Sequence, residues 1–166
     1  NNYIFKNRPK ILGCPKHDKQ WIKIIKNQKI NFPFKEKYIL LISRNANKNH
    51  LPSERKRQYL EIIKRNIIDK NFKLVVKLHP KEDSESGKNF YFDIFKNINF
   101  KKKWKFSNEL PLQLSKKALF VITFFSGVAI DMCASKKTTI ELLNLKGLEK
   151  NNSKADIFYE KNTKEP

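Results

Sequence analysis

The sequence predicts an α/β protein with a doubly wound parallel sheet that is covered by helices on both faces. From residue 38 onward, short apolar segments alternate with amphipathic ones, and the apolar segments have the length of buried strands. Parallel strands need crossover helices between them, and a sheet that is covered on both faces has continuous apolar strands. The chain has 166 residues, 39% of them hydrophobic, which is sufficient for the core of one such domain.

The first part of the chain differs from the rest. Prolines interrupt it, and one helix is predicted there, beginning after the N-cap Asp18. The apolar face of this helix consists of Trp21, Ile22 and Ile25. We expect residues 1–36 to be a linker with one helix, and residues 37–166 to form one α/β domain.

From residue 38, strands and helices are predicted in alternation. A strand over 38–43 is followed by the polar loop 44–52 and by a helix over 54–70, with Ser53 as its N-cap. Asn71 is expected to end this helix in the left-handed conformation. Further strands are predicted at 72–79, 104–106, 118–125 and 138–143, and further helices around 90–96, 110–117 and 126–135.

Polar residues stand where the predicted strands end. In a doubly wound sheet, the ligand binds beyond the carboxyl ends of the strands. The sequence therefore predicts that these polar residues lie together at one edge of the sheet, where a ligand would bind. The residues at these strand ends are Ser43 and Arg44, His79 and Pro80, Phe125 and Ser126, and Glu141.

Two of these strand ends carry the most chemistry. His79 directly follows a strand, and Pro80 fixes the backbone there, so the imidazole can donate to a phosphate or transfer a proton. The alternative is a strand-end histidine that bonds a neighbouring carbonyl. Ser126 stands at a helix start, where a hydroxyl and free N–H groups favour an anion, and Gly127 would allow a ligand close approach. The alternative there is an ordinary N-cap serine.

Two segments resemble a known family. VVKLHPKE, followed further along by FFSGVAIDMCASKKTTIEL, is similar to the C-terminal half of bacterial capsule and surface-polysaccharide glycosyltransferases. Bacterial sialyl- and Kdo-transferases and polyglycerolphosphate polymerases are wider relatives. The earlier stretch ILGCPKHDKQWIKII resembles the linker that precedes this half. The resemblance implies a Rossmann-like domain, one half of a two-domain B-type glycosyltransferase. It also implies that residues 1–36 follow a separate N-terminal domain and that residues 37–166 lack the closing helices of their domain. The two widely separated cysteines, Cys14 and Cys133, favour a reduced, cytoplasmic chain. A peripheral position at the inner face of the cell membrane is a further expectation.

The resemblance also implies roles for individual residues. His79 is the catalytic candidate, Asp131 is expected to hold the helix-start loop, and Glu141 is expected to accept hydrogen bonds from ribose hydroxyls. The donor-binding set is Arg44, His79, Pro80, Ser126, Gly127, Asp131 and Glu141. The chain departs from the family where Gly127 replaces a second hydroxyl residue, with Thr123 as the nearest upstream hydroxyl. It departs again at 135–138, where relatives carry Gly-Lys-Pro.

No resident cofactor is expected, and no metal, since Cys14 and His17 have no second pair of ligands. The implied donor is a nucleotide-activated sugar or polyol, with CMP- and CDP-linked compounds as candidates. A glycan or lipid-linked acceptor would be bound by the N-terminal domain, so the chain alone is expected to be inactive. A sugar-nucleotide epimerase of the same fold is the first alternative, because it shares the donor site and needs no acceptor.

The net charge of +20 raises a second alternative, a non-enzymatic basic module for nucleic acid or membrane. The basic residues are 31 Lys and 5 Arg, in a chain rich in residues with A/T-rich codons. Specific nucleic-acid recognition favours the arginine fork, so none is expected. The segment 89–106 interleaves aromatic residues with lysines. It suits either an anionic membrane surface or a core-facing helix followed by a solvated lysine turn.

Overall fold

The computed structural model describes residues 14–48, 50–68 and 70–143. Its sheet has five strands, and every neighbouring pair is parallel. The strands are β1 (Tyr38–Ile42), β2 (Leu74–Lys77), β3 (Trp104–Phe106), β4 (Ala118–Thr123) and β5 (Thr139–Glu141). Their order across the sheet is β3-β2-β1-β4-β5. The chain therefore builds outward from β1 to β3 and then returns to the other side of β1. This confirms the predicted doubly wound α/β fold.

Within the described residues, five α-helices accompany the strands. They are α1 (Lys19–Asn27), α2 (Ser53–Ile63), α3 (Glu85–Ile94), α4 (Pro111–Ser115) and α5 (Val128–Ala134). Short turns of 3₁₀ helix lie at Pro15–His17 and Pro80–Glu82, and a π-helical turn over Lys64–Ile68 extends α2. No helix in the described ranges combines the length and the apolar composition that crossing a bilayer requires.

The core has two halves because successive strand residues point to opposite faces of the sheet. Ile39 and Leu41 of β1 join the half that contains Leu60 of α2 and Tyr91 of α3. Tyr38, Leu40 and Ile42 join the half on the other face, with Leu114 of α4 and Met132 of α5. All five residues of β1 are buried, as a strand in the middle of a doubly covered sheet requires.

Two predicted helix starts differ in the structure. Ser53 is the first residue of α2 rather than its N-cap, and Pro52 at the N-cap position provides no side-chain hydrogen bond. The helix predicted around 90–96 begins earlier, at Glu85, because the hydroxyl of Ser84 caps it by accepting from the Gly87 N–H at 3.2 Å. Asn71 is left-handed as predicted, with φ of 70°.

The described part of the predicted linker packs against the sheet domain. Asp18 caps α1 as predicted, and Ile22 and Ile25 are buried. Trp21, predicted on the same face, is 48% exposed, so the apolar face is narrower than its sequence pattern indicates. The Lys26 ammonium donates to the Ser135 carbonyl at 3.0 Å, at the end of α5. The division between residues 1–36 and 37–166 stays a prediction.

Gly87 lets α3 begin directly against the Pro80–Glu82 turn. A Cβ at this position would lie 2.0 Å from the carbonyl oxygen of Glu82 and 2.9 Å from its carbonyl carbon, which real Cβ atoms do not do. At Gly127, by contrast, a Cβ would meet nothing within 4 Å. The two glycines therefore form a matched pair for substitution.

We expect Gly87→Ala to lower the free energy of unfolding by about 1–3 kcal/mol, because the backbone of Glu82 must move to admit the methyl group. This loss runs against the roughly 1 kcal/mol that alanine gains over glycine inside a helix. Urea denaturation measures the difference, with Gly127→Ala as the sterically unhindered control, which we expect to lower stability by no more than about 1 kcal/mol because Gly127 is an N-cap. Equal stability of the two variants would contradict the close packing at Gly87.

Candidate functional site

The predicted site residues meet at the carboxyl edge, which we define as the carboxyl ends of the five parallel strands and the residues that follow them. Arg44 follows β1, His79 follows β2, Ser126 follows β4, and Glu141 ends β5. Since β1 lies between β2 and β4, strand spacing places His79 and Ser126 on the order of 10 Å apart. After β3 the order in which strands are added reverses, and β4 joins the sheet on the other side of β1. The boundary between β1 and β4 is therefore a topological switch point, and open α/β sheets bind ligands at such points.

The loops that follow β1 and β4 contact each other at this switch point. The Arg44 guanidinium donates to the carbonyl of Phe125 and lies 5.3 Å from the centre of its ring. The His50 ring stacks on the same ring, with 5.1 Å between centroids and 22° between planes. Arg44 is thus engaged with the protein at the place where a donor-binding role was predicted for it. Sequence reasoning missed His50, which belongs to no motif, and it placed Phe125 at a strand end without giving it a role.

Phe125 has a strained backbone. Its φ is 41°, in the left-handed region that a bulky side chain rarely adopts, and such a residue costs on the order of 1–3 kcal/mol. The contacts with Arg44 and His50 hold it there. Backbone strain of this kind concentrates at functional sites, and here it sets the turn that presents Ser126.

Ser126 has partners for both its hydroxyl oxygen and its backbone N–H. The oxygen accepts the Val128 N–H at 3.3 Å. The N-cap position of the helix is Gly127, so Ser126 is not the ordinary N-cap serine of the alternative. The backbone N–H donates to Oε1 of Glu141 at 2.8 Å. This N–H, which the sequence suggested for a ligand anion, is therefore held by an exposed carboxylate of the protein. The helix that follows has only seven residues, so the site depends on side chains more than on a helix dipole.

His79 is held from two sides. Its Nδ1 accepts the Lys81 N–H at 3.1 Å, so the ring bonds a neighbouring amide rather than a neighbouring carbonyl. Since Nδ1 is an acceptor, the neutral ring carries its proton on Nε2, which is a hydrogen-bond donor. The backbone N–H of His79 donates to Oε2 of Glu82 at 3.2 Å, which completes a capping box on the turn that Pro80 begins.

A buried ion pair supports this turn. The side chains of Lys56 in α2 and Glu82 form a salt bridge, and the two residues are only 2% and 6% exposed. Burial lowers the pKa of Lys56, while the charge and hydrogen bond of Glu82 act in the opposite direction. The Lys56 ammonium also lies 5.3 Å from the ring centre of Phe90 and 5.1 Å from that of Tyr91.

Tyr91 extends this polar network to β1. Its hydroxyl hydrogen-bonds the hydroxyl of Ser43, the residue after β1. Burial, reinforced by the charge of Glu82, raises the pKa of Tyr91, so the phenol keeps its proton. Sequence reasoning missed Lys56, Glu82 and Tyr91. Only Glu82 had a local signal, since it stands at capping-box spacing, three residues after His79.

Asp131 connects α5 to the first part of the chain. Its carboxylate accepts from the Lys16 ammonium and from Nε2 of His17, each at 2.8 Å. It therefore fastens the Pro15–His17 turn to α5, and its predicted role in holding the helix-start loop stays a prediction. These contacts also occupy His17, and no group of three or more potential metal ligands occurs within the described ranges.

Two buried polar atoms lack a hydrogen-bond partner in the described part of the chain, and both lie beside the turn that leads to Ser126. They are Nδ1 of His50, whose ring stacks on Phe125, and Oγ1 of Thr123 at the end of β4. Buried polar groups normally find partners, so each exception needs an explanation. An open depression of about 300 Å³ lies next to the loop after β1, lined by 46–48 and 52–54.

Comparisons with known proteins give a limited result. No family model matches the chain, and no curated protein matches it. The crystal structure of Methanocaldococcus jannaschii UDP-GlcNAc 2-epimerase in complex with UDP-GlcNAc and UDP is similar to part of it, with 26% sequence identity and a TM-score of 0.46. The match covers 64% of this chain and 30% of that chain, so it spans less than a third of the epimerase. A similarity at this TM-score does not establish a shared function.

The buried ion pair generates a prediction about the support of His79. Lys56→Met leaves the Glu82 carboxylate buried without a counter-charge, and we expect a loss of about 3–5 kcal/mol in the free energy of unfolding. Adding Glu82→Gln removes that orphaned charge, so the double variant should be less destabilised than the sum of the single variants. Urea denaturation of all four proteins gives the coupling energy. Additive losses would show that the two side chains do not interact.

Proposed function

We propose that this chain is the donor-nucleotide domain of a glycosyltransferase that builds a bacterial surface polysaccharide. The observation that carries the proposal is the turn from β4 to Ser126. It lies at the switch point of the sheet, contains a strained Phe125, and adjoins both unpartnered buried polar atoms, on His50 and Thr123. Strain and unmet hydrogen bonds are retained where function requires them.

In this proposal the donor phosphate lies between His79 and Ser126. The Nε2–H of His79 and the hydroxyl proton of Ser126 would donate to its oxygens, since the acceptor sides of both groups are already occupied. Gly127 adds open space where a side chain would obstruct the phosphate. These donors would stabilise the charge that develops on the nucleotide as the glycosidic bond breaks, which is the main catalytic contribution available at such a site.

The proposal assigns acceptor binding to a second domain outside this chain. A sugar-nucleotide epimerase remains the alternative, because it needs the same phosphate contacts and differs only in requiring no acceptor. Product analysis with a complete enzyme separates the two: a transferase joins the sugar to an acceptor, and an epimerase returns an isomer of the donor.

The phosphate contacts are tested by removing them one at a time. Cytidine or uridine diphosphate should bind the chain, and the bare nucleosides should bind much less. His79→Ala and Ser126→Ala should each weaken nucleotide binding by roughly 5- to 150-fold, the equivalent of a lost hydrogen bond of about 1–3 kcal/mol. Calorimetric titration at two salt concentrations measures the effect.

Ser84→Ala is the matched control for the serine variant. Ser84 precedes α3, and its hydroxyl accepts the Gly87 N–H as that of Ser126 accepts the Val128 N–H. Ser84 is not one of the proposed phosphate contacts, so its removal shows what the loss of such a hydrogen bond does to stability alone. If His79→Ala and Ser126→Ala both fold and keep the affinity of the unmodified chain, the carboxyl edge does not bind the phosphate. Binding that high salt abolishes equally in every variant would indicate a nonspecific basic surface instead.

Glu141 provides a prediction of opposite sign. Its carboxylate occupies the Ser126 N–H and would repel an incoming phosphate. Glu141→Gln keeps an oxygen acceptor at this position and removes the charge. We expect inorganic pyrophosphate to bind this variant about five-fold more tightly or better, since like charges about 4 Å apart repel by about 1 kcal/mol even in water. Pyrophosphate is used because it has no ribose whose hydroxyls Glu141 could also contact. An unchanged pyrophosphate affinity would place the phosphate away from Ser126.

A further inference from the structure

Lysines precede every strand of the sheet. We define the amino edge as the residues directly before the five strands, opposite the carboxyl edge. Two lysines stand before β1, two before β2, three before β3, two before β4 and two before β5, which makes eleven. They are Lys35, Lys37, Lys70, Lys73, Lys101, Lys102, Lys103, Lys116, Lys117, Lys136 and Lys137.

The lysine-rich composition of the chain does not explain this placement. An excess of lysine that comes only from codon bias would place lysines at both edges, because mutation affects the loops at the two ends of the strands equally. The carboxyl-edge segments 43–52, 78–84, 107–110, 124–127 and 142–143 together contain only three basic residues, against three acidic ones. At the amino edge the described residues include a single acidic residue, Glu36, and the sequence adds Asp69, which lies outside the described residues.

Four of the eleven lysines are half-buried, and they connect the starts of neighbouring strands. Each ammonium donates to an oxygen at the start of the adjacent strand instead of reaching a carboxylate. The bonds are Lys73 to the Lys102 carbonyl (2.6 Å), Lys117 to the Lys35 carbonyl (3.0 Å), Lys137 to the Ala118 carbonyl (2.7 Å), and Lys103 to the Asn71 side chain. These four charged ammonium groups are therefore held at the amino edge by hydrogen bonds to the backbone or to a neutral side chain.

The other seven lysines are exposed, and none of them forms an ion pair within the described ranges. The charges crowd one another: burial lowers the pKa of Lys137, and the neighbouring charges of Lys26 and Lys37 lower it further. Phe72 stands among them, directly before Lys73, and is 45% exposed. The edge therefore combines uncompensated point charges with one accessible aromatic ring.

We propose that the amino edge docks on an anionic lipid bilayer. Five strands at about 4.8 Å spacing make a row about 20 Å wide, which can face many headgroup phosphates at once. Ammonium groups are point charges that suit a dense, mobile layer of phosphates, and an exposed apolar ring such as Phe72 can insert at the boundary between headgroups and acyl chains. The described amino edge has no arginine fork and one exposed aromatic ring, whereas single-stranded nucleic acid is bound by several stacking rings. The proposal is independent of the nucleotide site.

The test measures binding of the full chain to sedimented vesicles of phosphatidylcholine containing roughly 30% phosphatidylglycerol, at about 0.1 M salt. The edge variant carries Lys37→Glu, Lys102→Glu and Lys116→Glu. Its binding should fall by about 100-fold or more, because each basic residue at an anionic surface strengthens binding by about five-fold. Pure phosphatidylcholine vesicles should not bind the unmodified chain, and Phe72→Ser should weaken binding to the anionic ones.

The matched control variant carries Lys19→Glu, Lys48→Glu and Lys81→Glu, which are equally exposed lysines away from the amino edge, and it has the same net charge. It should retain vesicle binding. Equal losses in the two variants would overturn the proposal, because net charge alone would then explain binding. Displacement from the vesicles by single-stranded RNA at equal phosphate concentration would overturn it in favour of nucleic acid. Should the edge variant not fold, the corresponding three Lys→Gln changes serve in its place.

Nucleotide titration of the same edge variant keeps the two proposals apart. Its nucleotide affinity should be unchanged, since no substitution touches the carboxyl edge. Loss of vesicle binding with normal nucleotide affinity supports the bilayer proposal whether or not the chain belongs to a transferase. Loss of nucleotide affinity in a folded edge variant would overturn the assignment of the two ligands to opposite edges.

Discussion

Parallel pairing of β1 with both β2 and β4 is the constraint on which the rest of this structure depends. Because all five strands run the same way, every loop that follows a strand lies at one edge, and every loop that precedes a strand lies at the other. The chain can therefore place different chemistry on the two edges without any contact between them. It places histidine, serine and carboxylate side chains at the carboxyl edge and lysines at the amino edge.

Polar groups beneath the carboxyl edge show how the sheet supports a site. Lys56, Glu82, Tyr91 and Ser43 form a buried network that joins α2, the turn after His79, α3 and the end of β1. A buried ion pair contributes little net stability, because desolvation offsets most of the attraction. It does fix geometry, and here it fixes the backbone of His79. The strained Phe125 and the contacts of Arg44 do the same for the turn before Ser126.

Apolar segment lengths and strand-end polarity were enough to predict the fold class, the five strands and the shared edge of Arg44, His79, Ser126 and Glu141. The early start of α3 was missed because its first turn, ESGK, has no apolar periodicity and depends on Gly87 packing against Glu82. Lys56 could not be predicted as buried, since a lysine on an amphipathic helix normally faces water. The pairing of Asp131 with Lys16 and His17 joins residues too distant in the chain for any local pattern to reveal.

The uneven placement of lysine also gives the molecule an electric dipole along its strands. The six residues of β4 extend over about 20 Å, roughly twice the Debye length of about 10 Å at 0.1 M salt. At that ionic strength an anion approaching the carboxyl edge is screened from most of the lysines, so each edge acts through its own local potential. In dilute buffer the screening length exceeds the height of the sheet. The lysines would then draw small anions toward the far end of the molecule and turn the whole chain in the field of any charged surface before contact.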